Sequence, residues 1–158
     1  MNSVNIKNRK ARYNYHVLEK YVSGIVLSGN EIKSIRESKA SLNNCYCEFD
    51  SNNELYIINM NIDEYANSNE KDYSPQKKRK LLLNKTELKK LTKESVNPGV
   101  TIVPLNLFIN KKGLAKITIA LAKGKKEFDK RNVIKDRENK INLKRISKEA
   151  KNSLILIL

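Results

Sequence analysis

The sequence predicts a mainly β protein with flanking helices: an OB-like small closed antiparallel barrel, followed by a basic C-terminal tail. Three observations predict this fold class. Apolar residues recur at every second position in several short segments, turn signals separate these segments, and two helix-start motifs interrupt them. A chain of 158 residues also suits one core better than two.

Several segments show the period of two that is typical of half-buried strands. The turn sequences between them are Ser51–Asn53, Asn97–Gly99 and Asn110–Gly113, in which Gly or Asn can adopt the positive φ of a tight turn. We expect five or six strands. The segments that the pattern marks are Tyr21–Leu27, Cys45–Phe49, Ile58–Ile62, Thr101–Ile109 and Ile117–Leu121.

Two further segments break the strand pattern with helix-capping motifs. Ser28–Glu31 is a capping box, and Ile32 and Ile35 give the helix that it begins one apolar face. Asn84–Glu87 begins a second helix in the same way. One helix after the first strand and another before the last pair of strands favour helices packed on the outside of a barrel.

Charge divides the chain into a body and a tail. Lys and Arg number 32 against 17 Asp and Glu, a net charge of +15 that indicates a polyanionic partner. Residues 123–151 alone have 12 basic and five acidic side chains. We therefore expect a barrel domain over residues 1–126 and a basic tail over 127–158, with no internal repeat.

The tail has a narrow apolar stripe at helical spacing, formed by Leu143, Ile146, Ala150 and Leu154. Because its charge is high and its large apolar residues are few, we expect disorder in the free protein and a helix once phosphates neutralise it. The apolar end Leu154–Leu158 is either a sticky terminus or a contact on the body.

The sequence lacks the patterns of an enzyme, a metal site or a membrane protein. His16 has no nucleophile or acid at a catalytic spacing, and Cys45 and Cys47 lack the further ligands of a zinc site. The carboxylates of the polar loop 63–76 suit a solvated loop better than a catalytic pair. With no membrane-length apolar run and no secretory signal, we expect a soluble, cytoplasmic protein. We also expect a monomer and no cofactor.

Four basic segments remain as candidates for contact with the polyanion. Lys33 and Arg36 share one helix face, which a solvated surface also explains, and Asn8–Arg12 suits either a phosphate contact or a disordered end. Lys77–Lys80 is a sharper signal, because four consecutive cations repel one another unless an anion neutralises them. Lys123–Lys126 leads into Asp129–Arg131 and the tail.

These segments together resemble the SmpB family, the SsrA-binding proteins of bacterial trans-translation. The resemblance covers about residues 7 to 146, and four motifs in register make it specific. They are Asn8–Arg12, Gly24–Leu27 with Glu31 and Lys33–Arg36, Arg79–Lys85, and Leu121–Lys126 with Asp129–Arg131.

The resemblance implies an OB-type barrel that binds the tRNA-like domain of tmRNA, the SsrA RNA, and that is not an enzyme. It implies that alanyl-tRNA synthetase charges the tmRNA with alanine. It also implies that the charged tmRNA is then delivered, together with elongation factor Tu, to 70S ribosomes stalled on broken messages. The tmRNA-binding residues that we expect are Asn8, Arg9, Lys10, Arg12, Lys33, Arg36, Lys77, Lys78, Arg79, Lys80 and Leu82, with Asn8 hydrogen-bonding to RNA and Leu82 equally well explained as core.

The same resemblance places the tail near small-subunit rRNA at the decoding centre and in the empty mRNA channel. The chain departs from the family at Val22, where a glutamate that contributes to RNA binding is usual, and at Asn139, where a tryptophan is frequent. The expected ribosome-binding residues are Lys123, Gly124, Lys125, Lys126, Phe128, Asp129, Lys130, Arg131, Lys135, Arg137, Lys144, Arg145 and Ile146. The first alternative is a ribosome-associated OB protein that binds rRNA without tmRNA, and a nuclease is a distant third.

Overall fold

The structure is a computed structural model that describes the backbone of residues 3–157 and the side chains of residues 3–126, 131 and 134–148. The chain divides into two compact units, the first ending at Gly124 and the second beginning at Lys125. Strands dominate the first unit, and one helix forms nearly all of the second.

The first unit contains short and long strands with three helices between them. The strands are β1 (Asn5–Lys7), β2 (Tyr15–Ile25), β3 (Ala40–Ser41), β4 (Tyr46–Phe49), β5 (Leu55–Ile58), β6 (Asn61–Ile62), β7 (Arg79–Leu82), β8 (Val100–Ile109) and β9 (Ala115–Gly124). The helices are α1 (Arg9–Asn14), α2 (Gly29–Arg36) and α3 (Lys85–Ser95).

Six strands close into a ring in the order β8-β4-β5-β7-β2-β9, and β9 pairs again with β8. Every pairing in this ring is antiparallel. Strand β1 adds to the open side of β8, while β3 and β6 form a separate two-stranded sheet. The prediction of a small closed antiparallel barrel with flanking helices is confirmed.

The core fills the inside of the ring with aliphatic side chains. Ile57, Ile102 and Ile117 are fully or almost fully buried there, as the alternation of inward and outward residues along a strand requires. Ile35 of α2 and Leu91 of α3 join the same core. Both helices therefore contribute to barrel stability through apolar side chains, and for α2 the face that includes Ile35 was predicted from the sequence.

Local sequence signals set several boundaries correctly. The Ser28 capping box is present, with its hydroxyl accepting from the Glu31 amide and the Glu31 carboxylate accepting from the Ser28 amide. Asn84 caps α3 by accepting from the Glu87 amide at 2.8 Å. Gly99 has the positive φ that its turn requires.

Other predicted boundaries were wrong. Strand β2 begins at Tyr15 rather than at Tyr21, because a bulge between Val17 and Glu19 interrupts the period of two. The segment Ile58–Ile62, expected as one strand, is divided between the end of β5 at Ile58 and β6 (Asn61–Ile62), with Asn59 between them at a positive φ. The elements β1, α1 and β7 were not predicted, since each is short or mostly basic and has little apolar periodicity.

The second unit is the helix α4 (Glu127–Ile157). Among its described side chains, Ile134, Ile141, Leu143 and Ile146 are at least two-fifths exposed. The helix that the stripe predicted is thus present over the tail, and its dependence on bound RNA stays a prediction. The side chains of Leu154–Leu158 lie outside the described residues. Within the described part of the chain, neither α4 nor any other helix is both long and apolar enough to span a membrane.

Candidate nucleic-acid interface

Helix α1 presents cations on the outside of the barrel. Its Ala11 packs against Val103, Ala120 and Ala122 on the outer face of β8 and β9, in a small apolar cluster separate from the main core. This contact fixes one side of the helix. On its other sides Arg9, Lys10 and Arg12 are exposed.

Asn8 holds α1 in this position. Its side-chain oxygen accepts from the Ala11 amide at 3.3 Å as the N-cap, and its Nδ2 donates to the Pro104 carbonyl at 2.9 Å. The Asn8 amide also donates to the Leu105 carbonyl at 2.8 Å, and the residue is only 7% exposed. The structure thus gives Asn8 a positioning role, which differs from the hydrogen bonding to RNA expected from the sequence.

Arg79 is likewise a structural residue. Its guanidinium is buried and forms an ion pair with Glu31. Nη1 donates to the Met60 carbonyl at 2.8 Å, and Nη2 donates to the Pro75 carbonyl at 3.0 Å and the Tyr73 hydroxyl at 3.2 Å. The expectation that Arg79 contacts RNA is corrected, because these protein groups occupy its donors away from solvent.

Glu31 supplies the neutralising charge for this basic segment from inside the protein. Burial alone would raise the pKa of Glu31, but hydrogen bonds from the Ser28 amide and Arg79, with the charges of Arg79 and Lys77, hold it below its ordinary value. The Lys77 Nζ lies 3.5 Å from the same carboxylate. The repulsion between consecutive cations is therefore partly relieved within the fold.

In contrast to Arg79, the three lysines of segment 77–80 remain at or near the surface. Lys78 lies over the Tyr56 ring, with Nζ 4.9 Å from the ring centre, and is exposed. Lys80 pairs with Glu54 at 3.1 Å, and both side chains are about two-fifths exposed. Lys77, Lys78 and Lys80 stay accessible to an external phosphate, unlike Arg79.

Leu82 belongs to an exposed apolar patch and not to the core. It is 51% exposed and pairs with Gly24 across β2 and β7. A methyl group at position 24 would come within 3.3 Å of the Leu82 Cβ, so glycine allows the two strands to keep this arrangement. Val22, two residues earlier on β2, is 57% exposed. The alternative that explains Leu82 as core is thereby excluded.

A cleft of about 400 Å³ adjoins this patch and includes one of the two predicted α2 cations. Gly24, Leu82 and Lys116 line the cleft together with Arg36 of α2. Lys33 is exposed and lies over the Tyr65 ring, with Nζ 5.4 Å from its centre. The structure thus groups Arg36 with Leu82 and places Lys33 beside the loop that follows β6.

The predicted ribosome-binding residues begin where β9 ends. Lys123 and Gly124 are exposed at the last two positions of β9, and Lys125 and Lys126 follow before α4. The side chains of Phe128, Asp129 and Lys130 lie outside the described residues. Further along α4, the exposed predicted residues are Arg131, Lys135, Arg137, Lys144, Arg145 and Ile146.

The cysteine and histidine side chains do not form a nucleophilic or metal-binding site among the described residues. Burial raises the pKa of the Cys45 thiol to about 12 and raises that of Cys47 as well, so both stay protonated and poorly nucleophilic. His16 lies in β2, as expected for a strand histidine. Over the described residues, no three His, Cys, Asp or Glu side chains are grouped as metal ligands.

A second cleft, beside α1, was not predicted from the sequence. Tyr46 of β4 forms part of it with Asn44, which precedes the strand. An exposed tyrosine between two buried cysteines was the available signal, since alternation on a strand places Tyr46 outside the barrel.

Comparison with known proteins gives close matches over nearly the whole chain. The family model described as SmpB protein matches residues 5–149. An SsrA-binding protein of Christiangramia forsetii is 57% identical over 150 residues, which are 95% of each chain. One of Flavobacterium psychrophilum is 52% identical over 149 residues, covering 94% of this chain and 99% of the relative.

A solved structure has the same fold. It is described as "tmRNA-SmpB: a journey to the center of the bacterial ribosome", and one of its chains superposes with a TM-score of 0.65 at 40% sequence identity. The match covers 78% of this chain and 86% of that chain.

Proposed function

The chain belongs to the SmpB protein family, and we propose that it is a tmRNA-binding adaptor that delivers tmRNA to stalled ribosomes for trans-translation. The observation that carries this proposal is the identity of 57% with an SsrA-binding protein over 95% of both chains. The chain also resembles a protein solved with tmRNA in the setting of the bacterial ribosome.

The barrel binds the tRNA-like domain of tmRNA through two groups of surface residues. Arg9, Lys10 and Arg12 contact phosphates from α1, which Asn8 and Ala11 hold on the barrel. Arg36 and the lysines of segment 77–80 contact further phosphates beside the apolar patch around Leu82. In this chain Val22 replaces a polar RNA contact with an apolar one. Binding of RNA at this position therefore depends more on shape and van der Waals contact than on hydrogen bonds.

The tail, residues 127–158, acts on the ribosome together with the junction Lys123–Lys126. Its exposed cations suit rRNA and mRNA-channel phosphates, and helix α4 gives them a regular spacing. The two parts of the chain therefore have different roles: residues 1–126 bind tmRNA, and the tail binds in the mRNA channel when it is empty.

The protein acts as a monomer in the cytoplasm and without catalysis. Elongation factor Tu and alanyl-tRNA synthetase are partners through tmRNA and not by direct contact. The buried, protonated thiols and the loop position of the carboxylates at 63–76 support an adaptor more than a nuclease.

Truncation after Lys126 tests the division of labour. The truncated chain keeps every strand of the barrel, so binding to tmRNA should stay within a few fold, because salt near 0.15 M screens the tail's long-range attraction beyond about 8 Å. Tagging of nascent chains on stalled ribosomes should be lost. A tmRNA gel shift and an in vitro tagging assay measure the two effects, with circular dichroism to confirm the fold.

Three results would contradict this proposal. Equal loss in both assays would assign the tail to the tmRNA site, and unaffected tagging would remove the tail from the mechanism. Binding of the full chain to rRNA without preference for tmRNA would favour a ribosome-associated OB protein instead.

A further inference from the structure

The second cleft lies on the outer face of β4 and β8, beside α1. It has a volume of about 390 Å³, at the lower end of the range for small-ligand sites. Its floor includes the outward-facing Thr101 of β8. The other lining residues that matter here are Lys10, Asn14 and Tyr15 on one side and Asn44 and Tyr46 on the other.

The side chains around this cleft have the chemistry that recognises an unstacked nucleotide. Tyr46 is 39% exposed, which leaves an aromatic surface open for a base to stack on. The amides of Asn14 and Asn44 each present a donor and an acceptor, and within the described residues neither side chain is hydrogen-bonded. Lys10 supplies a cation at the rim for the adjoining phosphate.

The backbone of the cleft is held in place without any ligand. Asn44 has a positive φ of 61°, and its carbonyl accepts from the Asn59 side chain at 3.4 Å. Tyr46 begins β4 and pairs with Ile58 of β5, so the ring stands on the barrel wall. Asn14 lies across the cleft from Tyr46 as the last residue of α1, and the packing of Ala11 fixes this helix on the barrel. A base entering this site therefore meets a preformed backbone, and the ordering cost is limited to the side chains that contact it.

We propose that this cleft binds one unstacked nucleotide of the RNA, with its base against Tyr46 and its phosphate on Lys10. The proposal rests on the proposed RNA-binding function and adds base contact to a surface so far argued from phosphates alone. Because Asn14 and Asn44 can donate to or accept from base edges, the cleft gives the barrel a means to prefer an RNA with an extruded base at the matching position.

The test compares Tyr46→Leu and Tyr46→Phe in binding the tRNA-like domain of tmRNA over a salt series. Loss of one base stack should weaken binding by roughly fivefold to 150-fold in Tyr46→Leu, with the salt slope unchanged, whereas Tyr46→Phe keeps wild-type affinity. Lys10→Ala should instead reduce the salt slope by about 0.7 to 0.9. Ultraviolet crosslinking followed by mass spectrometry should place a crosslinked nucleotide on the peptide containing Tyr46.

Several outcomes would overturn the proposal. Wild-type affinity in Tyr46→Leu would do so, as would equal losses in the leucine and phenylalanine variants, which would indicate a structural effect. Crosslinks confined to other peptides would also count against it. In each case binding by the wild-type chain itself stays intact, so failure of the cleft is distinguished from failure of the RNA-binding function, in which the wild-type chain would not bind.

Discussion

Replacing Glu31 by Gln isolates the charge that balances the buried Arg79 guanidinium. The variant keeps the helix cap, because a glutamine oxygen can accept from the Ser28 amide as the carboxylate does. What it removes is the negative charge beside Arg79, whose side chain is 1% exposed. The substitution therefore tests the buried ion pair with little change in shape.

The expected cost follows from the surroundings of Arg79. Removing one partner of a buried ion pair costs about 3–5 kcal/mol, because the other charge is left without compensation. Arg79 keeps hydrogen bonds to the carbonyls of Met60, Pro75 and Lys77, which places the loss near the lower limit. A loss of about 3 kcal/mol corresponds to a fall in Tm of about 10 °C for a domain of this size.

Urea unfolding followed by circular dichroism measures this loss. The matched control is Glu54→Gln, which breaks the exposed pair with Lys80 and should cost no more than about 1 kcal/mol. A loss below about 1 kcal/mol in Glu31→Gln, or equal losses in the two variants, would refute the structural role assigned to Arg79.

The same ion pair predicts an acid dependence. Since the folded-state pKa of Glu31 is held below its ordinary value, its contribution to stability is complete above the unfolded-state pKa of about 4.3 and is lost as pH falls through the folded-state pKa. The urea concentration at the unfolding midpoint of the wild-type chain should therefore decrease as the pH is lowered below about 4. Glu31→Gln should fall less steeply over that range, and parallel curves would contradict the assignment.

Three further predictions concern the thiols and the RNA surface. Cys45 and Cys47 should not react with a thiol reagent at pH 8 in the folded protein, and both should react in denaturant, since burial keeps them protonated; fast reaction of the native chain would contradict this. Leu82→Ala should change the free energy of unfolding by less than about 1 kcal/mol while weakening tmRNA binding in a gel shift, and the reverse pattern would return Leu82 to the core. Replacing Arg9 and Lys10 by Ala should reduce the salt slope of tmRNA binding by about 1.4 to 1.8, so that the affinity loss is about sevenfold to twelvefold larger at 50 mM than at 200 mM salt. The charge-matched control replaces the exposed Lys85 and Lys89 of α3 by Ala, which should leave the slope unchanged.

The sequence predicted features that local chemistry determines. Ser28 and Asn84 are N-caps because a side-chain oxygen can satisfy an amide three residues away, and this pattern is visible in the sequence. Gly99 and Gly113 have positive φ in the turns that were expected from their neighbours. The family resemblance, which rested on four motifs in register, is confirmed over residues 5–149.

Features that depend on distant contacts were not predictable in this way. Arg79 appeared as one of four similar cations, and what separates it from them is its burial, with its guanidinium bonded to groups that include Glu31, 48 positions away. Asn8 appeared as a polar neighbour of cations, whereas its bond to the Pro104 carbonyl spans 96 positions. In both cases a residue expected to contact RNA instead stabilises neighbouring protein segments through distant contacts. No local sequence pattern predicts such contacts.

The adaptor function is tested most sharply by the RNA that the protein holds in its own cells. A tagged full-length chain is captured from a lysate and its RNA is sequenced, with the Arg9 and Lys10 double alanine variant as the matched control. We expect strong enrichment of tmRNA over its share of total RNA, and loss of most of that enrichment in the variant. Enrichment of rRNA alone, with tmRNA at background in the wild-type capture, would show that the chain is not a tmRNA adaptor.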